Sequence, residues 1–506
     1  MRGPSSSHTA AAVRIGRMAR DLMGGELQGV RIEFDPHGSL ATTHESQGSD
    51  MGLFAGLLGW DAADPRMVDS PQAIREAGIE IDIRITPLDA DHPNTYKLTL
   101  HNASETHTMK AISTGGGAIE VVEIDGFAIS MSGDMYETLL YLQTGADRLS
   151  AHVLENLPVD GVHGLRGDGG ELVEIQSQDF LDSETLAELR SQFDVQVVQQ
   201  IAPVLPILSR QDMEVPFLSS AELLAYNRER DLDLWELAVH YERARGAISD
   251  DRVLQMMEAR LAIMQDAIQT GLAGTEYEDR ILGYQSGAFQ NRMETGGLID
   301  AGVLNRIILY TTALMETKSA MGLIVAAPTA GACGGLPGAC IGAASTMGLS
   351  TTDMARAMLA GGIIGVFIAA HATFAAEVGG CQAECGAGSG MAAAALVSLA
   401  GGTTRQAIDA ASMALQNILG MICDPVAARV EVPCLGKNVL AAGNALACAN
   451  MALAGYDPVI PLDEVIQAMD EVGHMLPAAL RCTALGGLSI TPTSRAIEKR
   501  LAQAKS

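Results

Sequence analysis

Hydrophobic and polar residues alternate at every second position in parts of the first 120 residues. Val30–Phe34 and Tyr96–Leu100 show this spacing, which predicts half-buried β-strands. Apolar residues recur with helical spacing at Met51–Leu58 and, near the start, at Ala10–Met23. Residues 1–117 are therefore predicted to form an α/β domain.

Residues 118–212 are predicted to form a small module of the βαβ type. Its predicted elements are strands at Ala118–Ile124, Glu137–Gln143, Glu171–Ile175 and Val195–Ile201, a helix at Ser183–Phe193 and a loop at Gly164–Gly170. This stretch shows no combination of residues typical of catalysis. We expect it to have a regulatory or packing role.

The pattern becomes helical after residues 202–218, where three prolines predict a linker: Pro203, Pro206 and Pro216. Amphipathic helices are predicted at Ser219–Asn227, Leu232–Ala244 and Asp250–Gly271, and longer helices rich in Ala, Gly and Met after residue 298. Glycine-rich stretches at 327–335, 386–390 and 486–487 are predicted to break these helices. The fold class expected for the whole chain is α+β, with residues 218–506 as a mostly helical domain.

The segment Ala357–Ala376 contains no Asp, Glu, Lys or Arg and is about as long as a membrane-spanning helix. It also contains several glycines and two polar residues, His371 and Thr373, and no aromatic belt follows it. We therefore predict a buried core helix and no membrane association.

Composition narrows the possible partners. The formal net charge is −28, which opposes binding to nucleic acids or anionic membranes through a basic surface. All eight cysteines lie between Cys333 and Cys482, and no apolar leader precedes residue 5. This is not the distribution of a secreted disulfide framework, so we expect the reducing cytoplasm.

Three of the cysteines, Cys381, Cys423 and Cys434, sit in polar or proline-containing turns. The others lie among Ala and Gly, and packing is the preferred interpretation for Cys340, Cys385 and Cys448. No Cys-x-x-Cys pair occurs, which argues against a zinc ribbon. Spacing alone is thus only a weak indication of a metal site.

A polar run, Gly3–Thr9, precedes the first predicted helix. Its hydroxyl and backbone N–H groups could bind an anion, but from these residues alone a helix N-cap is favoured.

Several motifs together resemble one known family. They are Gly3–Thr9, His92–Thr95, Gly115–Gly117, Ala327–Gly331, Gly380–Glu384, Cys423–Ala427, Val430–Cys434 and, near the end, Gly486–Leu488 with Thr491–Thr493. In this order they resemble the iron–sulfur-dependent L-serine dehydratases. The resemblance covers nearly the whole chain: residues 1–212 resemble the β chain of the two-subunit form and residues 218–506 its α chain.

The resemblance implies a function and a site. Cys381, Cys423 and Cys434 would ligate a [4Fe-4S] cluster whose fourth iron binds the substrate, and L-serine would be converted to pyruvate and ammonia. Catalytic residues would be Ser5, Ser6, Ser7, His8 and Thr9; substrate-binding residues would be Asn94, Thr329, Gly331, His371 and Lys437. Residues 118–212 would be an ACT-like regulatory module. We expect a small amino acid as the substrate partner and a homodimer as the assembly.

The chain also departs from the family pattern. Gln47 replaces a histidine, His371 replaces an asparagine, Lys437 replaces an arginine, and Cys482 replaces a glutamate. The C-terminal residues 502–506 lack the cysteine that blocks the cluster in some family members, so no such self-inhibition is predicted.

Three alternatives to serine deamination follow from the sequence. One is the same chemistry on another β-hydroxy or β-thiol α-amino acid, and another is a non-catalytic metabolite sensor with this fold. A pyridoxal-phosphate enzyme is disfavoured, because only Lys318 and Lys437 lie in the motif regions as Schiff-base candidates.

Overall fold

The structure is a computed structural model that describes residues 1–167, 169–205, 207–210 and 213–504. Pro206 of the predicted linker, the predicted module end at residue 212, and residues 505–506 of the C-terminal segment lie outside the described residues. An N-terminal part with two β-sheets precedes a mostly helical part, which confirms the α+β prediction.

The first domain is a six-stranded sheet covered by helices. Its elements are α1 (Ser6–Leu22), β1 (Gly29–Phe34), α2 (Leu40–Thr43), α3 (Ser49–Leu57), α4 (Ser70–Glu76), β2 (Glu80–Ile85), β3 (Thr95–His101), β4 (Thr106–Gly115), β5 (Ala118–Ile124) and β6 (Phe127–Met131). The strand order is β2-β1-β3-β4-β5-β6, with β1 and β2 parallel and the other neighbours antiparallel. The apolar face of α1, including Ile15 and Met18, packs in the core of this domain.

Helices α1 and α3 approach each other closely because glycines lie at their contact. A Cβ atom on Gly52 would lie 2.2 Å from the carbonyl oxygen of Thr9, and one on Gly56 would lie 2.2 Å from that of Val13. Only glycine allows two backbones to come this near. The first turn of α1 is therefore held firmly against α3, and Ser5 to Thr9 are buried in it.

The second module contains β7 (Tyr136–Leu142), α5 (Ala146–Asn156), β8 (Gly161–Gly167), β9 (Gly170–Ser177), α6 (Ser183–Gln192) and β10 (Val195–Ile201). Its antiparallel sheet has the order β10-β7-β9-β8. This is the split βαβ arrangement, in which both helices cover one face of the sheet. Leu140, Leu149, Val173 and Leu189 form the core between helices and sheet.

Two predictions for this region are wrong. The strand at 118–124 exists, but it pairs with β4 in the first sheet because the turn at Gly115–Gly117 folds it back as a hairpin. Residues 164–167 are not a loop but the end of β8, and Gly170 begins β9; Asp168 of the predicted loop lies outside the described residues. We therefore propose to place the first domain boundary after β6 rather than at residue 117.

The helical part follows. Its helices are α7 (Ser220–Asn227), α8 (Leu234–Gly246), α9 (Asp250–Ala273), α10 (Ser286–Glu294), α11 (Val303–Ser319), α12 (Gly335–Met347), α13 (Thr351–His371), α14 (Ala376–Gly379), α15 (Cys385–Leu399), α16 (Thr404–Gln416), α17 (Cys434–Leu453), α18 (Leu462–Met475) and α19 (Pro492–Ala504). At the start of several helices, the side chain of the N-cap residue accepts a hydrogen bond from a backbone N–H group. Examples are Ser249, Ser350 and Thr403.

Helix α15 lies in the middle of this part and is almost entirely buried. It packs against α12, α13, α16 and α17. The predicted break at Gly386–Gly390 is wrong, because these glycines lie inside α15. Small side chains on every face let four helices surround it, and this tertiary packing outweighs the low helix propensity of glycine.

One helix among the described residues, α13, is long and apolar enough to cross a membrane. In the most apolar stretch of this helix, 67% of the residues are buried inside the protein. This agrees with the prediction of a core helix for the uncharged segment.

Two carboxylates are buried on neighbouring strands of the second module and generate the first testable prediction. Burial and the nearby Glu174 raise the pKa of Glu137 to about 9, and burial raises the pKa of Glu174 to about 7. Each group keeps its proton in the folded chain at a pH where the unfolded chain has lost it. The stabilisation is therefore complete below the unfolded pKa and is lost as the pH rises through the folded one.

Replacing Glu137 by Gln removes this ionisation. We expect Glu137→Gln to raise the Tm at pH ~8.5 by about 2–4 °C and to change it little at pH ~5. Scanning calorimetry at the two pH values checks this, with the exposed Glu155→Gln as control. An equal Tm shift at both pH values would contradict the burial argument.

Candidate active site

Four cysteine side chains meet in one enclosed cluster of the helical part. Cys381, Cys385, Cys423 and Cys482 pack there with the small apolar side chains of Ala332, Ala376 and Ala441 and with the partly buried Met421. Cys434 lies beside them, near enough for the charge of Cys381 to act on its thiol. All three predicted ligands are therefore in one place, and all eight cysteines of the chain are buried and free of disulfides.

Local backbone structure positions these thiols. Cys381 follows Gly380, whose φ of 72° turns the chain sharply after α14, and Cys434 is the first residue of α17. Cys423 is paired with Arg481 by an isolated parallel bridge: its N–H donates to the Leu480 carbonyl at 2.8 Å, and the Cys482 N–H donates to the Cys423 carbonyl at 2.9 Å. Three separated segments thus bring their cysteines to one point.

The cysteine thiols of the cluster differ in the direction of their pKa shifts. Hydrogen bonds from Cys385 and Cys423 hold the pKa of the Cys381 thiol well below its usual range. Interaction with Cys381 raises the pKa of Cys385 and of Cys423, and burial raises that of Cys434. One nearby cation is Lys437, whose Nζ donates to Asp424 Oδ1 at 2.9 Å and to the Ile422 carbonyl at 2.7 Å.

This donor set fits a metal group. Thiolates are the soft ligands of iron–sulfur clusters, and burying several of them without a cation is unfavourable. Within residues 1–504 as described, no three His, Cys, Asp or Glu side chains converge on the position of one metal ion. A polynuclear cluster is ligated at its separate corners, so its thiolates need not converge on the position of one metal ion.

A chain of polar side chains adjoins the cysteines across the contact between the two parts. Ser5 Oγ lies 2.8 Å from His8 Nδ1, and His8 Nε2 lies 2.8 Å from Glu377 Oε1. The Asn94 amide donates to Glu377 Oε2 at 3.2 Å. Serine, histidine and carboxylate in this order form a proton-relay arrangement, in which the acid orients the ring.

A second polar group lies next to Ser7. Thr329 Oγ1 donates to Glu384 Oε1 at 2.7 Å, and the Ala330 N–H donates to Ser7 Oγ at 2.8 Å. A Cβ atom at position 331 would lie 2.8 Å from Glu384 Oε1, so any larger residue there would have to displace this carboxyl group. Thr329 thus lies beside Glu384, and its chain neighbour Ala330 lies beside Ser7.

The two carboxylates differ in charge. Burial opposes ionisation of Glu377, but the charge and hydrogen bonds of His8, with that of Asn94, lower its pKa to about 2. Burial, together with the charges of Cys381 and Glu377, raises the pKa of Glu384 to about 8. One carboxylate and one carboxylic acid at neutral pH are a pair suited to acid–base chemistry.

Asparagine 438 connects several of these segments. Its Oδ1 accepts from the N–H groups of Gly334 and Gly335, and its Nδ2 donates to the carbonyls of Gly331 and Cys434. The same Nδ2 lies 3.6 Å from Cys385 Sγ. Asn438 therefore fixes the turn at 331–335 relative to Cys434.

Two departures from the family pattern touch each other at this site. Gln47 Nε2 lies 3.7 Å from Cys482 Sγ, and both side chains are buried. Beside them opens a cavity of about 400 Å³, lined by residues from segments 41–46, 427–429 and 483–485 and from α19. The cavity reaches the chain neighbours of both residues, Ser46 and Thr483.

The remaining residues predicted for the site either lie away from it or make hydrogen bonds only within their own segment. Ser6 Oγ donates to the Gly3 carbonyl and Thr9 Oγ1 to the Ser5 carbonyl, so both stabilise the first turn of α1. Lys437 faces the thiols and Asp424 rather than the serine run. His371 is exposed at the end of α13, where Nε2 lies 3.1 Å from the Leu218 carbonyl, and no contact brings it to the site among the described residues.

The structure adds Glu377 and Asn438, which sequence reasoning missed, and gives Glu384 a role. Glu377 had a usable signal: it is the first charged residue after the uncharged segment 357–376. A lone acid in such a stretch is paired or functional more often than not. Asn438 gave no comparable signal, since its role depends on a turn more than 100 residues away.

Comparison with known proteins identifies the family. The family model of the serine dehydratase alpha chain matches residues 229–489, and that of the serine dehydratase beta chain matches residues 2–123. The chain belongs to the serine dehydratase family. It combines the β and α parts in one polypeptide, and the family makes it an enzyme, a carbon–nitrogen lyase.

Relatives of both forms are similar to this serine dehydratase family member. A probable L-serine dehydratase alpha chain of Bacillus subtilis is 37% identical over 285 residues, 56% of this chain and 95% of its own. The L-serine dehydratase of Streptomyces coelicolor is 28% identical over 498 residues, and L-serine dehydratase 1 of Escherichia coli is 26% identical over 500 residues. Each match covers 96% of both chains.

The burial of the thiols leads to a prediction for the metal-free protein. Because every cysteine is enclosed, we expect an aromatic disulfide reagent to react slowly with all eight thiols of the folded chain and rapidly with all eight in denaturant. Absorbance of the released thiolate measures both rates under anaerobic conditions. Peptide mapping that finds Cys381, Cys423 or Cys434 rapidly labelled in the folded chain would show that the cluster is open.

Proposed function

We propose that this enzyme is an iron–sulfur-dependent L-serine dehydratase that converts L-serine to pyruvate and ammonia. Cys381, Cys423 and Cys434 would hold a [4Fe-4S] cluster. The observation that carries the proposal is the enclosed set of thiols placed next to the Ser5–His8–Glu377 relay. Relatives over the full chain length are named L-serine dehydratase, which supports serine as the substrate.

A cluster with three protein thiolates supplies one iron that acts as a Lewis acid on a hydroxyl leaving group. The residues of the chain supply the proton transfers. His8 Nε2 lies 2.8 Å from Glu377 Oε1, and we place the ring proton on this nitrogen, so that the basic atom is Nδ1, which Ser5 Oγ contacts. We assign this tautomer from the contacts, and His8 Nδ1 then takes the α-proton of the substrate once Ser5 turns aside.

The second polar group, Thr329 with Glu384, serves the leaving oxygen. Thr329 and Glu384 face the polar groups of the substrate, and the protonated Glu384 gives its proton to the departing hydroxide to form water. The remaining enamine is released and hydrolysed, which adds water and frees ammonia. Burial of the site between the two parts keeps bulk water from these transfers until the product leaves.

A second candidate substrate is favoured by one observation. Gln47 and Cys482, two of the departures from the family pattern, are in contact at the edge of the cysteine cluster. Paired changes at a site alter the groups that the substrate meets. A β-hydroxy or β-thiol α-amino acid other than serine would use the same proton transfers and the same metal group.

The remaining expectations are also proposals. We propose that residues 133–201 act as an ACT-like regulatory module, since their strand order is the split βαβ arrangement. A homodimer and a cytoplasmic location complete the proposal, the latter in keeping with eight free thiols.

Iron analysis tests the ligand assignment. Anaerobically reconstituted protein should bind about four irons per chain and show charge-transfer absorbance. We expect Cys423→Ala to abolish both, because it removes a corner ligand. The matched control is Cys448→Ala, also a buried cysteine, whose Sγ contacts the Asn417 amide at 3.3 Å away from the cluster. Iron lost equally from both variants would refute the assignment.

Kinetics of two variants test the relay. His8→Ala and Glu377→Gln should each lower kcat by roughly a hundredfold or more and leave the iron content and the KM near wild type, since both act on proton transfer. The rate of pyruvate formation, measured without oxygen at saturating L-serine, gives kcat, with Glu155→Gln as the control. Full activity of His8→Ala would remove this residue from the mechanism.

A further inference from the structure

Two lysines lie in the motif regions of the helical part, Lys318 and Lys437, and the proposed proton transfers use neither of them. Lys437 has a partner of opposite charge, since its Nζ donates to Asp424 Oδ1 at 2.9 Å. Lys318 differs, because no carboxylate among the described residues forms an ion pair with it. A buried ammonium group without a counter-charge is strongly unfavourable. The presence of Lys318 therefore indicates a negative charge nearby that the polypeptide itself does not provide.

Lys318 is as fully enclosed as the apolar core. It lies in the last turn of α11, and the residue is 0% exposed. Among the described residues its Nζ has one hydrogen-bond partner, the carbonyl oxygen of Val430. An ammonium group has more N–H donors than one carbonyl group can satisfy. A neutral residue at this position would make the fold more stable, unless an anion lies within range of the lysine.

The surroundings of Lys318 belong to the candidate active site. Val430 precedes Cys434, the first residue of α17, by one short segment, and α11 packs against α17. The charge of Lys318 acts on the thiols of Cys434 and Cys333 and on the carboxyl group of Glu384, where it opposes an increase in pKa that is caused mainly by burial. Lys318 is therefore within electrostatic range of a predicted cluster ligand and of the group assigned to protonate the leaving oxygen.

Two carboxyl groups in this region do not balance the charge of Lys318. Glu384 keeps its proton at neutral pH, because its pKa is raised to about 8, chiefly by burial. Glu431 accepts hydrogen bonds from the backbone N–H groups of residues 281 and 282 at distances of 2.9 to 3.1 Å. Such N–H donors stabilise a carboxylate without a cation. The thiolates of the proposed cluster are then the negative charges that Lys318 can balance.

We propose that Lys318 is the buried counter-charge of the cluster, which it stabilises against loss of iron and whose reduction potential it raises. This inference rests on the proposed function, since it requires the cluster. By formal count, a [4Fe-4S]²⁺ core with three thiolate ligands has a net charge of about −1, which one ammonium group neutralises. Net charge and burial set the potential of such a centre, and a nearby cation favours its reduced form. Lys318 acts on the cluster alone and contacts neither substrate nor the proton relay.

The variant Lys318→Gln removes the charge and keeps an N–H donor for Val430. In the metal-free chain we expect it to raise the Tm by about 2–4 °C, because a buried charge without a partner is gone. In anaerobically reconstituted holoprotein we expect iron to pass to a chelator roughly tenfold faster and the reduction potential to become more negative. Calorimetry, chelator absorbance and a redox titration followed by electron paramagnetic resonance measure the three effects. The control is Lys499→Gln, at an exposed position of α19, which should change none of them.

Opposite effects on the metal-free and the iron-loaded chain distinguish this role from a structural one. If Lys318 instead balances Glu431, Lys318→Gln lowers the Tm of the metal-free chain and leaves iron release unchanged. That result overturns the inference, while the iron bound by the wild type leaves the proposed function standing. Equally fast release from Lys499→Gln also overturns it, because the loss of any positive charge would then suffice. A wild-type protein that binds no iron overturns this inference together with the proposed function.

Discussion

The contact between His8 and Glu377 is the interaction on which the architecture of the site depends. Glu377 is an ionised carboxylate buried between the two parts of the chain, and a buried charge is tolerated only with a partner. His8 and Asn94, both from the N-terminal part, provide that partner at 2.8 and 3.2 Å. The contact between the two parts is therefore polar at the candidate active site. If the parts separated, the carboxylate of Glu377 would lose His8 and Asn94 as partners and remain buried among helices.

Enclosure of the cysteines follows from the small side chains of the helical part. Ala332, Ala376 and Ala441 are the neighbours of the thiols, and α15 presents glycine and alanine to four helices at once. Bulky residues at these positions would fill the space around the thiols with hydrocarbon. The low aromatic content of the chain, 4%, agrees with this packing of small side chains.

The residues that sequence reasoning located are those whose chemistry shows in a local pattern. The thiols of Cys381, Cys423 and Cys434 were expected together and lie together, and the serine run before α1 is buried at the site. Glu377 was missed although it is the first charged residue after the uncharged segment, because its partner lies nearly 370 residues earlier in the chain. Secondary structure shows the same limit: Gly386–Gly390 looked like a break by propensity, and only the surrounding helices make it part of α15.

The fusion of β and α parts has a consequence for how the site is assembled. His8 and Ser5 come from the part matched by the beta-chain family model, and Glu377 and Cys381 from the part matched by the alpha-chain family model. When two such parts are separate chains, their association follows mass action and weakens on dilution. A covalent connection instead keeps the partners at an effective concentration on the order of millimolar. In this polypeptide the two halves of the site stay paired at any protein concentration in the cell.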